Sequence, residues 1–229
     1  MSPPPVTVAF CPQPPLLLPA VSGLPGAALT ELRAAATAAV ATLLAAGPAV
    51  VLVVGEGADG VRLGPGDSGS LRGLGVDLDV PFAGPAAPGG RPVPLPHLVG
   101  AWLLDAARHT GARVGVGPGD LAAALSGAPG PVGVLAMGDG SARRTEKAPG
   151  ALDPAAGPFD AAVAAALAAG DPAALAALDP AEGQRLLAAG VPVWRAVGTA
   201  LAGRTSRAQL SYDAAPFGVG YLVATWTAP

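Results

Sequence analysis

Two kinds of apolar run alternate along the chain. Val6–Cys11 (VTVAFC), Ala49–Val54 and Pro131–Met137 (PVGVLAM) are short, continuous and rich in β-branched residues. That is the signature of strands buried on both faces. Arg113–Gly117 predicts a further short strand. Longer Ala/Leu segments lie between these runs. Thr30–Ala46, with Leu32, Val40, Leu43 and Leu44 available for one apolar stripe, predicts a helix, and so does His97–His109, closed by Gly111. Three more helices are expected at Pro158–Ala169, Pro172–Leu178 and Pro180–Ala189, each with Pro in its first turn or Asp just ahead of it. Val193–Ala202 predicts another. Arg207–Asp213 and Val219–Trp226 read as closing strands. Gly55–Pro96 is a long Gly/Pro-rich stretch with a short strand at Gly75–Val80; such stretches in compact domains often carry function. The whole pattern predicts an α/β fold: one domain over residues 1–229, with a central mostly parallel or mixed sheet and helices on both faces.

Composition trims the list of functions. The chain of 229 residues is 51% hydrophobic and only 13% charged, which excludes disorder over its length. A net charge of −3 with thirteen Lys and Arg argues against a nucleic-acid binder, which needs a dense basic face. One Cys and two His rule out a disulfide framework, a Cys-rich zinc site and a three-histidine metal centre. Ala34–Gly55 carries no charge and is long enough to span a bilayer. Gly47-Pro48 interrupts it, and the residues change there from Ala/Leu to β-branched, so it reads as helix, turn and strand. No Lys or Arg precedes Arg33, so a signal peptide lacks its positive region and a cytoplasmic protein is expected. So apolar a chain leaves a homodimer open.

Candidate chemistry follows the strands. Gly55-Glu56-Gly57-Ala58-Asp59-Gly60 fits a dinucleotide-binding glycine pattern, with Asp77 and Asp79 about twenty residues on. That chemistry needs a helix opening at the third glycine, and VRLGPGDSG is a poor helix; a plain loop is the competing reading. Gly138-Asp139-Gly140-Ser141-Ala142-Arg143-Arg144 also follows a buried strand. Its carboxylate, hydroxyl and guanidinium groups suit an anionic substrate, or else a solvated turn. Asp139 and Ser141 are the candidate catalytic groups. His97 and His109 lie more than three helical turns apart and cannot share one ion. Cys11 reads as a small buried residue.

Taken in order, these pieces resemble the class III extradiol dioxygenase catalytic-subunit superfamily, which includes LigB-like and Memo-like proteins. The resemblance rests on Phe10-Cys11-Pro12-Gln13-Pro14-Pro15 after the first strand and on Glu56 after the second. It continues in Met137-Gly138-Asp139-Gly140-Ser141-Ala142-Arg143 and in Pro158-Phe159-Asp160. The closing Ser211-Tyr212-Asp213-Ala214-Ala215-Pro216-Phe217-Gly218-Val219-Gly220-Tyr221 is the most distinctive piece. The resemblance implies that fold and a pocket at the ends of the strands. In that family two His and a carboxylate hold Fe(II). Here Gln13 and Glu56 stand where the His ligands are expected, Ala142 replaces the acid/base His, and Asp213 takes the carboxylate position. An amide is a poor ferrous ligand, so the resemblance implies the fold more strongly than ring cleavage. Gln13, Glu56 and Asp213 would instead offer oxygen atoms to a harder divalent cation such as Mg²⁺, Ca²⁺ or Mn²⁺. Arg143 and Tyr212 are the candidate substrate contacts. The expected role is binding of a small molecule or a protein partner in a vestigial pocket. One alternative is a metal-dependent enzyme using Glu56, Asp139 and Asp213; a second is a nucleotide-binding enzyme using the Gly55–Gly60 loop.

Overall fold

The structure, a computed structural model, describes residues 4–229. Its elements begin with β1 (Val6–Cys11), α1 (Pro19–Ser22), α2 (Ala27–Ala45) and β2 (Val50–Val54). An excursion follows with four short strands, β3 (Pro65–Gly66), β4 (Ser68–Ser70), β5 (Asp79–Pro81) and β6 (Ala83–Ala86). Then come α3 (Leu95–Ala106), β7 (Arg113–Val116), α4 (Leu121–Ser126) and β8 (Val132–Met137). The last third holds α5 (Ala156–Ala169), α6 (Pro172–Ala176), α7 (Pro180–Arg185), α8 (Val191–Ala200), β9 (Arg207–Ala214) and β10 (Tyr221–Ala228).

Six strands form one mixed sheet in the order β7-β2-β8-β1-β10-β9. The first four are parallel, and the β9–β10 hairpin adds antiparallel to β1. Strand side chains alternate between two cores, as a period of two demands. Ala9, Cys11, Val51, Val53, Leu135 and Met137 face the layer of α2 and α3. Val8, Phe10, Leu52, Val54, Val134 and Ala136 face α4, α5 and α8. Both faces are covered, which is why these strands read as unbroken apolar runs. Trp226 is fully buried in the second core, where its ring meets Phe10 edge-on at 5.0 Å and its indole N–H donates to Leu167 O at 2.7 Å.

The α/β architecture and the helix–turn–strand reading of residues 34–55 match the expectation, and α2 buries Leu32, Ala36, Val40 and Leu43 against the sheet. By length and composition alone α2 would also cross a membrane. Several details differ: α1 was not expected, the short strand predicted at Gly75–Val80 is β5 at Asp79–Pro81, and α6 ends at Ala176 instead of Leu178. α4 has no counterpart in the sequence reading, because its six residues are too short to show a helical period. α3 begins earlier than expected, with Pro96 in its first turn, and ends at Ala106, before His109 and Gly111; Arg108 beyond it takes the left-handed φ of 57°. α7 stops at Arg185 rather than running to Ala189, and Leu187 beyond it is left-handed at φ 55°.

The aspartates ahead of α6 and α7 cap as expected: Asp171 Oδ1 accepts from Ala174 N at 3.0 Å and Asp179 Oδ1 from Ala181 N at 2.9 Å. Asp171→Ala should therefore lower the unfolding free energy by about 1 kcal/mol. Urea denaturation should show this as a lower midpoint at constant slope.

Candidate functional site

The strand order places a crevice where chain connections diverge. β1 and β2 leave the sheet through α2 and α3, on one face, whereas β7 and β8 leave through α4 and α5, on the other. Adjacent β1 and β8 therefore part at their carboxyl ends, the place where open α/β sheets bind ligands. The residues just beyond those ends are Gln13 and Asp139. Gly138 N donates to Cys11 O at 3.0 Å, carrying the ladder one step past the strands. The Gln13 backbone N–H then donates to Asp139 Oδ1 at 2.8 Å. The second carboxylate oxygen has no protein partner among the described residues. Desolvation pushes the Asp139 carboxyl up to about 7, opposed only by the Gln13 amide. The side-chain carbonyl of Gln13 is buried without a hydrogen-bond donor.

Two phenols complete the wall. Tyr221 opens β10 and is almost wholly buried. Burial first, then the charges of Asp139 and Tyr212, push its hydroxyl well above the ordinary range, so it stays a donor. Tyr212 packs on the same side of the sheet, and burial and Glu31 push its hydroxyl up as well. Phe217 meets Tyr221 edge-on at 6.4 Å. It also lines an apolar groove of about 400 Å³ with Leu16, Leu24, Pro25 and Leu29.

The loop that carries Asp139 is held from behind. Gly138 lies against Gly190, where a Cβ would come within 2.4 Å of the Gly190 Cα. Asp139 O accepts from Gly190 N at 2.7 Å, and Gly140 N and Gly220 N form a reciprocal pair with Gly220 O and Ser141 O. Asp160 on α5, only 1% exposed, accepts from Ser141 N and from the Arg144 guanidinium, both at 2.8 Å. Burial still leaves its carboxyl above the ordinary value despite these bonds. Asp160 is a residue the sequence reading left without a role.

Other expectations change here. Ser141 is fully buried; its hydroxyl donates to Leu186 O at 2.8 Å and accepts from Arg143 N at 3.1 Å. Both capacities are spent inside the loop, so it is a structural group and not a nucleophile. Arg143 packs against Gly150, and its Nε is buried without an acceptor. Its charge helps, after the Ala155 amide and Arg185, to hold the Asp153 carboxyl below its ordinary value. The three expected metal ligands are not brought together. Gln13 stands beside Asp139, Glu56 is exposed beyond β2, and Asp213 is exposed on β9. β2 and β9 are four strand positions apart, about 19 Å across a sheet. Two carboxylates that must each approach one ion within about 2.5 Å do not meet over that span. Among the described residues no group of three or more His, Cys, Asp or Glu is placed to hold a metal. These residues do not fit a ferrous centre.

The glycine loop after β2 also departs from a phosphate site. No helix opens at Gly60; the β3–β6 excursion follows instead. The loop is tied instead to the segment between β7 and α4: Asp120 Oδ2 accepts from Gly60 N at 2.6 Å, and Asp59 Oδ1 accepts from Gly119 N at 3.0 Å. His97 fills the space beneath Gly55, fully buried, with Nε2 on Val116 O at 3.0 Å. Burial pushes its imidazole down and keeps it neutral. Cys11 is buried as expected, its thiol pushed up to about 12 by burial.

Comparison with known protein families and with curated proteins gives no match for this chain.

Proposed function

We propose that the chain binds a small hydroxylated molecule with an apolar body in the crevice between β1 and β8. In this reading Asp139 accepts a hydrogen bond, and at need a proton, from the ligand. The observation that carries it is the pairing of two unfilled acceptors at one strand-end crevice. One is the free oxygen of Asp139; the other is the buried, donorless carbonyl of Gln13. Buried acceptors are nearly always satisfied in folded proteins, so the Gln13 carbonyl calls for a donor from outside the chain, and the half-buried Asp139 oxygen beside it offers that donor a second acceptor. Tyr221 and Tyr212 bring phenols to the same wall, and the Phe217 groove offers an apolar seat beside it. A carboxyl that titrates near neutrality suits proton exchange with such a ligand.

The resemblance to class III extradiol dioxygenases supports the position of the crevice within the fold. The donor set supports binding without ferrous chemistry, because Glu56 and Asp213 lie too far apart to share an ion with Gln13. Under this reading the protein is a divergent relative of those enzymes that keeps the pocket and not the ring cleavage.

Catechol serves as the probe. Ligand-observed NMR with the purified chain should show saturable binding, weakened at least tenfold by Asp139→Asn or Gln13→Ala. No binding, or binding indifferent to both changes, overturns the reading. Stoichiometric iron in anaerobically purified protein, together with cleavage of catechol, overturns its non-ferrous part.

A further inference from the structure

A second cavity lies at the same end of the sheet but on its other side. It is a groove of about 610 Å³ between α7, residues 187–189 and the start of α8, closed by Glu56 from beyond β2. That volume is within the usual range of small-molecule sites, about 300–1,000 Å³. Its wall is mostly apolar, with Pro180, Leu187, Val191 and Pro192. Among the described residues it has two charged side chains, Glu56 and Arg195, of opposite sign. Neither forms an ion pair with any described residue, and they do not pair with each other. Arg195 is anchored by a hydrogen bond from one guanidinium nitrogen to Leu178 O, which holds the group in the groove wall. Glu56 is subject to burial and to the like charge of Asp59, both of which raise its carboxyl above the usual range. A cationic ligand group would offset both by favouring the ionised carboxylate.

The rim adds one exposed apolar side chain. Leu187 is held at φ 55° with nearly half its surface exposed. This conformation ends α7, where Ala188 N donates to Gly183 O at 2.8 Å. Here it presents an apolar side chain to the groove instead of to the core.

We propose that this groove binds a short apolar peptide with both termini free, its ammonium group at Glu56 and its carboxylate at Arg195. Two charges of opposite sign without ion-pair partners in one apolar groove are complementary to a ligand that bears both charges and an apolar body between them. Arg suits the carboxylate end, since its planar fork donates to two oxygens. Glu56 takes the ammonium from the exposed rim of the groove. This site is separate from the Asp139 crevice and does not rest on the catechol reading.

The test is calorimetry of the full chain with trileucine at low salt and neutral pH. Saturable binding is expected. Acetylation of the peptide amine should weaken it at least tenfold, and so should Glu56→Gln. The acetylated peptide should lose nothing further when it meets Glu56→Gln. Amidation of the carboxyl end should pair in the same way with Arg195→Met. The capped peptides are read on the unaltered chain, so a variant that folds poorly does not decide the outcome. Asp139→Asn should leave trileucine binding unchanged, which separates this site from the crevice. Absence of binding, or binding that ignores both caps, overturns the proposal.

Discussion

Asp160→Ala is expected to lower the unfolding free energy by roughly 3 kcal/mol at neutral pH, the lower end of the range for breaking a buried ion pair. The carboxylate is 1% exposed and holds two donors at 2.8 Å, the Ser141 amide and the Arg144 guanidinium. Removing it strands the Ser141 N–H in a dry loop. The side chain of Arg144 is about a quarter exposed, so its charge regains water, and this keeps the loss from the upper end of the range. For a chain of this size such a loss should move the thermal midpoint by about 10 °C. Asp160→Asn, which keeps an acceptor for Ser141, should cost less than the Ala change. The effect should also be local in exchange. Gly220 lies against Asp160 with no room for a Cβ, so the turn before β10 is seated on this carboxylate. Hydrogen exchange at the Gly140, Ser141 and Gly220 amides should rise in the Ala variant before the strands exchange. A midpoint within 2 °C of the parent would remove Asp160 from this role.

That knot also shows where the sequence is informative and where it is silent. Strands β1, β2 and β8 were legible because burial on both faces forces continuous apolar runs. The residues that follow β1 and β8 were legible as site candidates because strand ends in α/β sheets collect ligands. Which of them meet was not legible. Gln13 and Asp139 are far apart in sequence and touch only because β8 inserts between β2 and β1. The same insertion, with the hairpin added beyond β1, keeps Glu56 from Asp213. Ser141 looked like chemistry because hydroxyl next to carboxylate is a familiar pairing, yet the loop folds it inward against Leu186. The glycine pattern after β2 matched by letters, but Asp59 and Asp120 occupy amides of the kind that phosphates would claim. Arg195 gave no signal at all: one basic residue on a short helix becomes distinctive only when it shares a groove with Glu56.

Asp139→Asn should stabilise the protein above pH 7 while weakening ligand binding. In the folded chain burial pushes this carboxyl up to about 7, against an ordinary value of 3.8. A raised carboxyl binds its proton more tightly in the folded state than in the unfolded one. Its contribution is therefore fully present below pH 3.8 and is lost as pH rises through about 7. Asn carries no charge at any pH and keeps a carbonyl for the Gln13 N–H. The two proteins should thus be closest in stability near pH 4, with the variant pulling ahead as pH rises and levelling off above 7. Water reaching the open oxygen moderates the penalty, so the gap at pH 8 should be roughly 2–4 kcal/mol. Urea denaturation of both proteins from pH 4 to 9 measures it, and the difference between them cancels the other raised carboxyls, Asp160 and Glu56. A gap that does not change with pH would mean that the crevice is not dry, and the proton-accepting role of Asp139 would go with it. A gap that opens as described, joined to the loss of catechol binding, would show a charge kept at the expense of the fold. Substitutions that stabilise a protein and weaken its function are characteristic of binding and catalytic sites, and Asn at this position should behave as one of them.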